Sequence, residues 1–439
     1  MAVDYDLVVI GIGAYALKLV CLAAQSGARV AWICDRHSHD LTDLNIVQIL
    51  DVLQLLKSRM VTHSTAEKLS LFPQQIKQAL KDVCPDDLWD MVQTIGVDVI
   101  IGTCKFDRKS PNFYGLEVTE SDAFATDRIS QRRLTSRTYA IADDPPTPLS
   151  KIFGLADGDY LTASKLMSLE NLPNSIAVLG NDVYACAIAQ NLNFLGVKTY
   201  LLADHSPILP SIDLAIARTL QAQLEAEGIE IYTNARVTAV SKIQFDRSRI
   251  WLGNTTLECD RLLLPIAPRT WYIPHESYIY QCHHEQDIAQ ILYQCLRTHP
   301  WHLPNRSEVP ATIHVPSMPP ISQIGLTESA AKNLGRSTYV LESANENMGM
   351  CKIICDRQGK ILGASMCGER AKLVIEAIAM AMQGKIKIQN IEVLQELHLT
   401  EQWSKIHRHT SQQEKSQQEK SQQEKLRNWF IAAANCIRT

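Results

Sequence analysis

The sequence predicts an α/β protein with two Rossmann-like dinucleotide-binding domains and a C-terminal α+β region, on three observations. Val3 to Asp35, VDYDLVVIGIGAYALKLVCLAAQSGARVAWICD, reads as an apolar strand, a glycine turn, an apolar-periodic helix, a Gly near the helix end, a second apolar strand and an acidic residue. Asn174 to Asp204, NSIAVLGNDVYACAIAQNLNFLGVKTYLLAD, repeats that order, and Gly11 to Asp35 and Gly180 to Asp204 each span 24 positions. From about Pro310 onward the pattern changes to strand, helix start, hairpin and helix. A lone GxGxxG match carries little weight, whereas two strand-turn-helix-strand-acid units in equal register point to a two-dinucleotide architecture.

The elements between these landmarks follow from hydrophobic periodicity. After the first unit, Leu41 to Met60 places Ile46, Ile49, Leu50, Leu53 and Leu56 at helical spacing, which predicts one packed helix. FPQQIKQALKDV and PDDLWDMVQTIGV continue the helical stretch, VDVIIGTCKFD and FYGLEVT read as short strands, and the proline-rich Ala142 to Leu149 marks a domain edge. Beyond the second unit, LAIARTLQAQLEAEG is a helix that runs into the strands IEIYTNARVTAVSKI, RIWLG and TLECDRLLLPIA. In the third region GLTESAAKNLG starts a helix, MCKIICDRQGKILGASMCG is a hairpin and AKLVIEAIAMAMQG is a helix. Ser411 to Lys425 is a five-residue repeat, SQQEKSQQEKSQQEK, polar throughout and unable to build a core. Leu426, Trp429, Phe430 and Ile431 then make residues 426–439 a short apolar helix on a tether, either packing back on its own molecule or docking on a protein or a membrane surface.

Composition sets the outer bounds. The 439 residues, 46% hydrophobic, supply two to four domains with separate cores. A net charge of -4 and a pI near 6.4 leave no broad basic surface, which excludes a nucleic-acid partner. No run reaches the length of a bilayer span and a strand begins within the first few residues, so a cytoplasmic location is expected. Of the 12 cysteines, Cys21, Cys34, Cys186 and Cys259 sit in apolar segments as small core residues, and no CxxC or CxxxxC occurs. Cys351 and Cys355 share a strand face but lie about 13 Å apart at about 3.3 Å per residue, too far for a disulfide.

The two turns differ in their chemistry. In GIGAYA, Gly11 allows the tight turn, Gly13 lets the backbone approach a pyrophosphate, Ala16 permits close helix-strand packing, and Asp35 stands where a ribose hydroxyl is bound. In GNDVYA, Asp182 takes the central glycine position, where a side chain blocks the approach and a carboxylate repels a diphosphate. Asp182 is therefore expected to cap its helix, which speaks against NAD at Gly180 and Asp204; of the two pyridine nucleotides Asp204 favours NAD, since a carboxylate repels a 2'-phosphate. His275, Cys282, His283 and His284 lie close in sequence, but neighbouring strand residues point to opposite faces, so no metal site is predicted.

This order, together with LENLPNSIAVLG, DHSPILPSID, ISQIGLTESAAKNLG, KIICDRQGKILGASMCG and IEAIAMAMQG, resembles the class I pyridine nucleotide-disulfide oxidoreductases of the dihydrolipoamide dehydrogenase, mercuric reductase and glutathione reductase type, over about residues 3 to 407. The resemblance implies a split FAD-type domain (1–149 and 259–309), an inserted NAD-type domain (150–258) and a dimerisation domain (310–407) that makes a homodimer, followed by the tail (408–439). It implies FAD at Gly11, Gly13, Ala16 and Asp35, and NAD at Gly180 and Asp204.

Several family positions are altered. The redox CxxxxC expected after the first unit is missing, since Arg36 to Met60 holds no cysteine, which rules out the usual thiol-disulfide relay. The Gly-Asp flavin anchor reads His283-His284, the Gly-Arg pair keeps only Arg269, and the Ala-Thr-Gly crossover reads YAIADD. The acid-base motif keeps His398 and Thr400, loses its Pro and places Glu401 too early, leaving His398 as a weak catalytic candidate and more simply an interface histidine. The dithiol, the central Gly of the second turn, the crossover, the anchor and the His-Glu dyad are all changed together. The expectation is a diverged pseudoenzyme: a non-catalytic or weakly active homodimeric scaffold that keeps an FAD-type unit. The alternative is an FAD-dependent NAD(P)H oxidoreductase that passes electrons directly from flavin to a small acceptor.

Overall fold

In a computed structural model, the described residues are 3–11, 14–34, 46–83, 88–110, 113–121, 129–142, 160–244, 247–265, 276–282, 285–296, 310, 312–335, 337–345 and 349–391. The chain divides into two compact units, one of Met1–Ser211, Ala217–Asn305 and Val315–Met318, the other of Ile212–Ile216, Arg306–His314 and Pro319–Thr439.

The first unit opens with β1 (Tyr5–Ile10), α1 (Ala14–Gln25), β2 (Val30–Cys34), α2 (Ile46–Met60), α3 (Thr65–Val83), α4 (Leu88–Thr94), β3 (Asp98–Ser110), β4 (Phe113–Ser121), β5 (Ile129–Leu134) and β6 (Ser136–Ile141). It continues through β7 (Tyr160–Thr162), α5 (Ala163–Met167), β8 (Ser175–Leu179), α6 (Val183–Phe194), β9 (Lys198–Leu202), α7 (Leu214–Ala226) and β10 (Glu230–Tyr232). The strands β11 (Val237–Gln244), β12 (Arg247–Leu252), β13 (Thr255–Cys259), β14 (Arg261–Leu264) and β15 (Ile279–Gln281) follow, and then α8 (Glu285–Cys295). A seven-stranded sheet runs β15-β6-β1-β2-β3-β4-β5, parallel from β15 to β3 and antiparallel from there. A second sheet, β10-β9-β8-β14-β7, is parallel throughout, and β11-β12-β13 form a small antiparallel sheet. The central parallel strands of both sheets, β1 and β2 in the first and β8 and β9 in the second, read as near-continuous apolar runs because both of their faces are covered. One face of the first packs Leu7, Val9, Trp32 and Ala140 against α1 and α8, and the other buries Val8, Ile10, Ile33 and Tyr139 with Phe106, Leu116 and Val118.

Among the elements that differ from the sequence reading are α3 and β5. The helix read as starting at Phe72 begins at Thr65 and runs through Pro73. Its start is fixed upstream by Ser64 and Glu67, a reciprocal cap in which the Glu67 carboxylate accepts from the Ser64 amide (2.7 Å) and the Ser64 hydroxyl accepts from the Glu67 amide (3.4 Å). Ser64-Thr65-Ala66-Glu67 is the sequence signal for it. The polar strand β5 has no apolar alternation to announce it and is specified by pairing with β4, Leu116 opposite Leu134.

In the second unit β16 (Thr312–Val315), β17 (Ile321–Gly325), α9 (Glu328–Asn333), β18 (Thr338–Asn345), β19 (Gly349–Asp356), β20 (Ile361–Cys367) and α10 (Ala371–Gln383) build one sheet in the order β16-β17-β20-β19-β18. The hairpin read from MCKIICDRQGKILGASMCG is β19 paired antiparallel with β20. Helix α10 buries Val374, Ile375 and Ile378 against Ile324, Leu341, Ile353 and Met366. Cys351 and Cys355 are free buried thiols in this core.

Candidate functional site

In both repeats a buried parallel strand leads to a glycine of positive φ ahead of a helix, and a helix N-terminus is a position at which amides and the helix dipole attract a phosphate. In the first unit Gly11 follows β1 with φ +111°, a backbone region that disfavours any side chain. Its amide donates to the Ile33 carbonyl at 3.0 Å, and the Ala142 amide donates to the Ile10 carbonyl at 2.8 Å, closing the strand ends on both sides. Ala16 is fully buried between α1 and the sheet, as its role in close packing requires. Gly13, Asp35, Arg269, His275, His283, His284, His398 and residues 408–439 lie outside the described residues, as does the proline-rich linker from residue 143 onward.

The second unit is built alike and finished differently. Gly180 has φ +147°, and a Cβ there would meet the Ala185 methyl at 3.0 Å, so glycine is needed for the close approach of α6. Its amide donates to Leu202 at 3.0 Å, matching the Gly11–Ile33 bond. Asp182 is the N-cap of α6, extended at φ -88°, ψ 178°, and its Oδ1 accepts from the amides of Tyr184 (3.0 Å) and Ala185 (2.8 Å). Those are first-turn amides of the kind that a diphosphate would use. Burial pushes the Asp182 carboxyl above its usual range, against the pull of the Ala185 and Tyr184 amides. Asp204, the residue in register for a ribose, is also engaged: its Oδ1 accepts from Asn181 Nδ2 at 2.8 Å and lies 2.8 Å from His205 Nδ1. The turn is drawn to the following loop by a 2.8 Å bond from the Leu209 amide to the Asn181 carbonyl. Asn181 and His205 did not stand out in the sequence; an amide within the turn and an imidazole beside the ribose acid were the available signal.

Helix α2 follows the first unit, where the resemblance expects the redox helix, and packs apolar Ile46, Ile49, Leu53 and Leu56 inward without a thiol. No cysteine among the described residues forms a disulfide. Burial pushes Cys259, Cys295 and Cys367 up to about 11 and Cys282, Cys351 and Cys355 up to about 12, with Cys186 raised further. Thiols held protonated in this way are poor nucleophiles. Among the described residues no group of three or more His, Cys, Asp or Glu side chains could hold a metal, and no helix is long and apolar enough to cross a membrane.

Residues 175–248 match the pyridine nucleotide-disulphide oxidoreductase family model and residues 309–401 match the dimerisation domain of the same family. A mercuric reductase of Staphylococcus aureus is 22% identical over 449 residues, covering 88% of this chain and 79% of the relative. A dihydrolipoyl dehydrogenase of Bacillus subtilis is 24% identical over 450 residues, covering 87% and 92%. Among solved structures, the HOCl-induced flavoprotein disulfide reductase RclA from Escherichia coli superimposes with a TM-score of 0.65 at 19% identity, covering 87% of this chain and 94% of that one. LpdA from Mycobacterium tuberculosis gives 0.66 at 18%, covering 88% and 94%.

Proposed function

From a chain that resembles the class I pyridine nucleotide-disulfide oxidoreductase family and carries that family's nucleotide and dimerisation domains, we propose a homodimeric, flavin-type scaffold without pyridine-nucleotide-driven disulfide reduction. The observation that carries this is Asp182, whose carboxylate takes two first-turn amides of α6 for itself. A diphosphate at that turn would have to displace an internal cap and then face its charge. The lack of any cysteine between Arg36 and Met60 supports the same reading, since no dithiol there relays electrons.

In this reading residues 1–149 and 259–309 form the FAD-type domain, 150–258 the NAD-type domain and 310–407 the dimerisation domain. The Gly11 turn and the buried Ala16 fit the ADP half of FAD, with Gly13 and Asp35 completing the set. When bound, the flavin supplies a two-electron acceptor. The dimer forms through the C-terminal domain, residues 426–439 contact a protein or a membrane surface, and the protein resides in the cytoplasm. The intact Gly11 turn also supports a second reading, an FAD-dependent NAD(P)H oxidoreductase that delivers electrons from flavin straight to a small acceptor.

The visible spectrum of the purified protein separates the two. A flavin band that NADH leaves unbleached is the expected result. Bleaching by NADH sinks the scaffold reading in favour of the oxidoreductase, and colourless protein that takes up no added FAD removes the flavin from both. For the tail, truncation after His409 should remove partners from a pull-down; an unchanged set rules out its docking role.

A further inference from the structure

The Gly11 turn is braced from inside the core by a residue outside the glycine fingerprint. Trp32 lies on β2 and is 1% exposed, packed in the core that also holds Leu7, Val9, Ala16 and Leu19. Its indole Nε1 donates a 2.8 Å hydrogen bond to the Gly11 carbonyl. The Gly11 amide donates to the carbonyl of the next β2 residue, Ile33, at 3.0 Å. Both backbone polar groups of Gly11, the residue after β1, are thus fixed by adjacent residues of one strand.

An indole N–H is a donor only, and a ring wedged in a close-packed core presents it in a single direction. The bond therefore sets the direction of the Gly11 carbonyl, at a residue whose φ of +111° suits glycine. The second unit provides an internal comparison. There the Gly180 amide keeps the equivalent bond to Leu202, but the residue in register with Trp32 is Leu201, which has no side-chain donor. The brace is present where the glycine fingerprint is intact and missing where Asp182 closes the turn.

We infer that Trp32 is a positioning residue for the phosphate-binding turn, holding the Gly11 peptide in the orientation that receives the pyrophosphate of an adenine dinucleotide. This rests on the reading of the Gly11 unit as an FAD site. Buried in the core, Trp32 acts through Gly11, whereas a tryptophan that only filled the core would influence stability alone.

The test compares Trp32→Phe, which keeps an aromatic ring and removes the donor, with Leu7→Ala, a loss from the same core toward the other end of β1. The readouts are FAD affinity by titration, thermal stability, and amide hydrogen exchange over Gly11–Ala16 in the ligand-free protein. Trp32→Phe should weaken FAD binding about tenfold and speed exchange in the turn, whereas Leu7→Ala should lower stability yet hold FAD affinity within about twofold. Equal effects of the two variants on FAD affinity, or unchanged exchange in Trp32→Phe, overturn the inference. Trp32→Leu, which copies the residue of the second unit, serves the same test if Trp32→Phe does not fold. Wild-type protein that binds no FAD defeats the flavin reading instead, and the exchange comparison in ligand-free protein then decides the brace alone.

Discussion

Asp182 separates the two nucleotide units more sharply than their glycines do, because both units keep a first glycine of positive φ. Its carboxyl is pushed up by burial, so the folded protein holds that proton more tightly than the unfolded chain does. The associated stability is present below the unfolded carboxyl value and is lost as the pH rises through the folded one. Asp182→Asn keeps an oxygen for both amides and has no charge to bury, so it should gain melting temperature relative to wild type from about pH 4.5 to about pH 7.5. A constant gap across that range would show that the carboxylate is well solvated. Asp182→Gly should cost only a few tenths of a kcal/mol, roughly, and free the first-turn amides of α6. Calorimetric titration should then find NADH binding about tenfold tighter than in wild type; no gain would mean that Asp182 is not the obstacle.

Elements in both units are held by contacts between residues far apart in sequence. In the first, the C-terminus of α6 is received by the start of α3: Lys68 Nζ donates to the Phe194 carbonyl at 3.1 Å and lies 3.6 Å from its ring centroid. Gly196, at φ +97°, faces Thr65 so closely that a Cβ would lie 2.2 Å from the threonine methyl. In the second unit Lys352 on β19, 5% exposed, meets Asp213 at 3.1 Å, Glu328 at 2.6 Å and Glu342 at 3.0 Å. Burial alone would lower this ammonium, but Glu328, Glu342 and Asp213 outweigh it and hold it above its usual range. Asp213 also accepts from the Ala215 amide, while its own amide donates to Gln323, which accepts from Ser365 as well. Lys352→Met would leave a buried aspartate without its cation and should cost about 3 kcal/mol in chemical denaturation. A loss under about 1 kcal/mol would show that the carboxylates are solvated rather than bound to the lysine.

At the scale of the molecule, the dimer proposed from the C-terminal domain can be tested on α10. Leu373 and Met380 are seven residues apart on one helix face, 68% and 72% exposed in the single chain, while the opposite face is packed on the sheet. Leu373→Glu with Met380→Glu should convert a dimer to monomer in light scattering behind size exclusion, with the melting transition little changed. A dimer that survives both charges would place the interface elsewhere. The proposed loss of disulfide chemistry predicts that NADH with the purified protein reduces a chromogenic aromatic disulfide no faster than NADH with free flavin. A rate that saturates in disulfide would overturn it.

The sequence by itself determined the architecture. Apolar strands, helical periodicity and two glycine turns in equal register are local signals, and they specify two Rossmann-like units and a hairpin-bearing C-terminal domain because each arises within a few turns of chain. It also determined that Arg36 to Met60 holds no thiol and that Asp182 sits where a glycine is needed. It further predicts that Asp182 caps its own helix, as it does at the start of α6. The tertiary structure alone decided how the other site residues are engaged, since whether Asp204 is free depends on Asn181 meeting it across the turn. Trp32 reads as an ordinary apolar strand residue until β2 lies beside β1 and its indole reaches Gly11. Lys352 reads as a break in an apolar strand until Asp213, from a remote segment, is brought against it. Hydrophobic pattern is written along the chain; hydrogen-bond direction and charge pairing exist only once distant segments share a few ångströms of space.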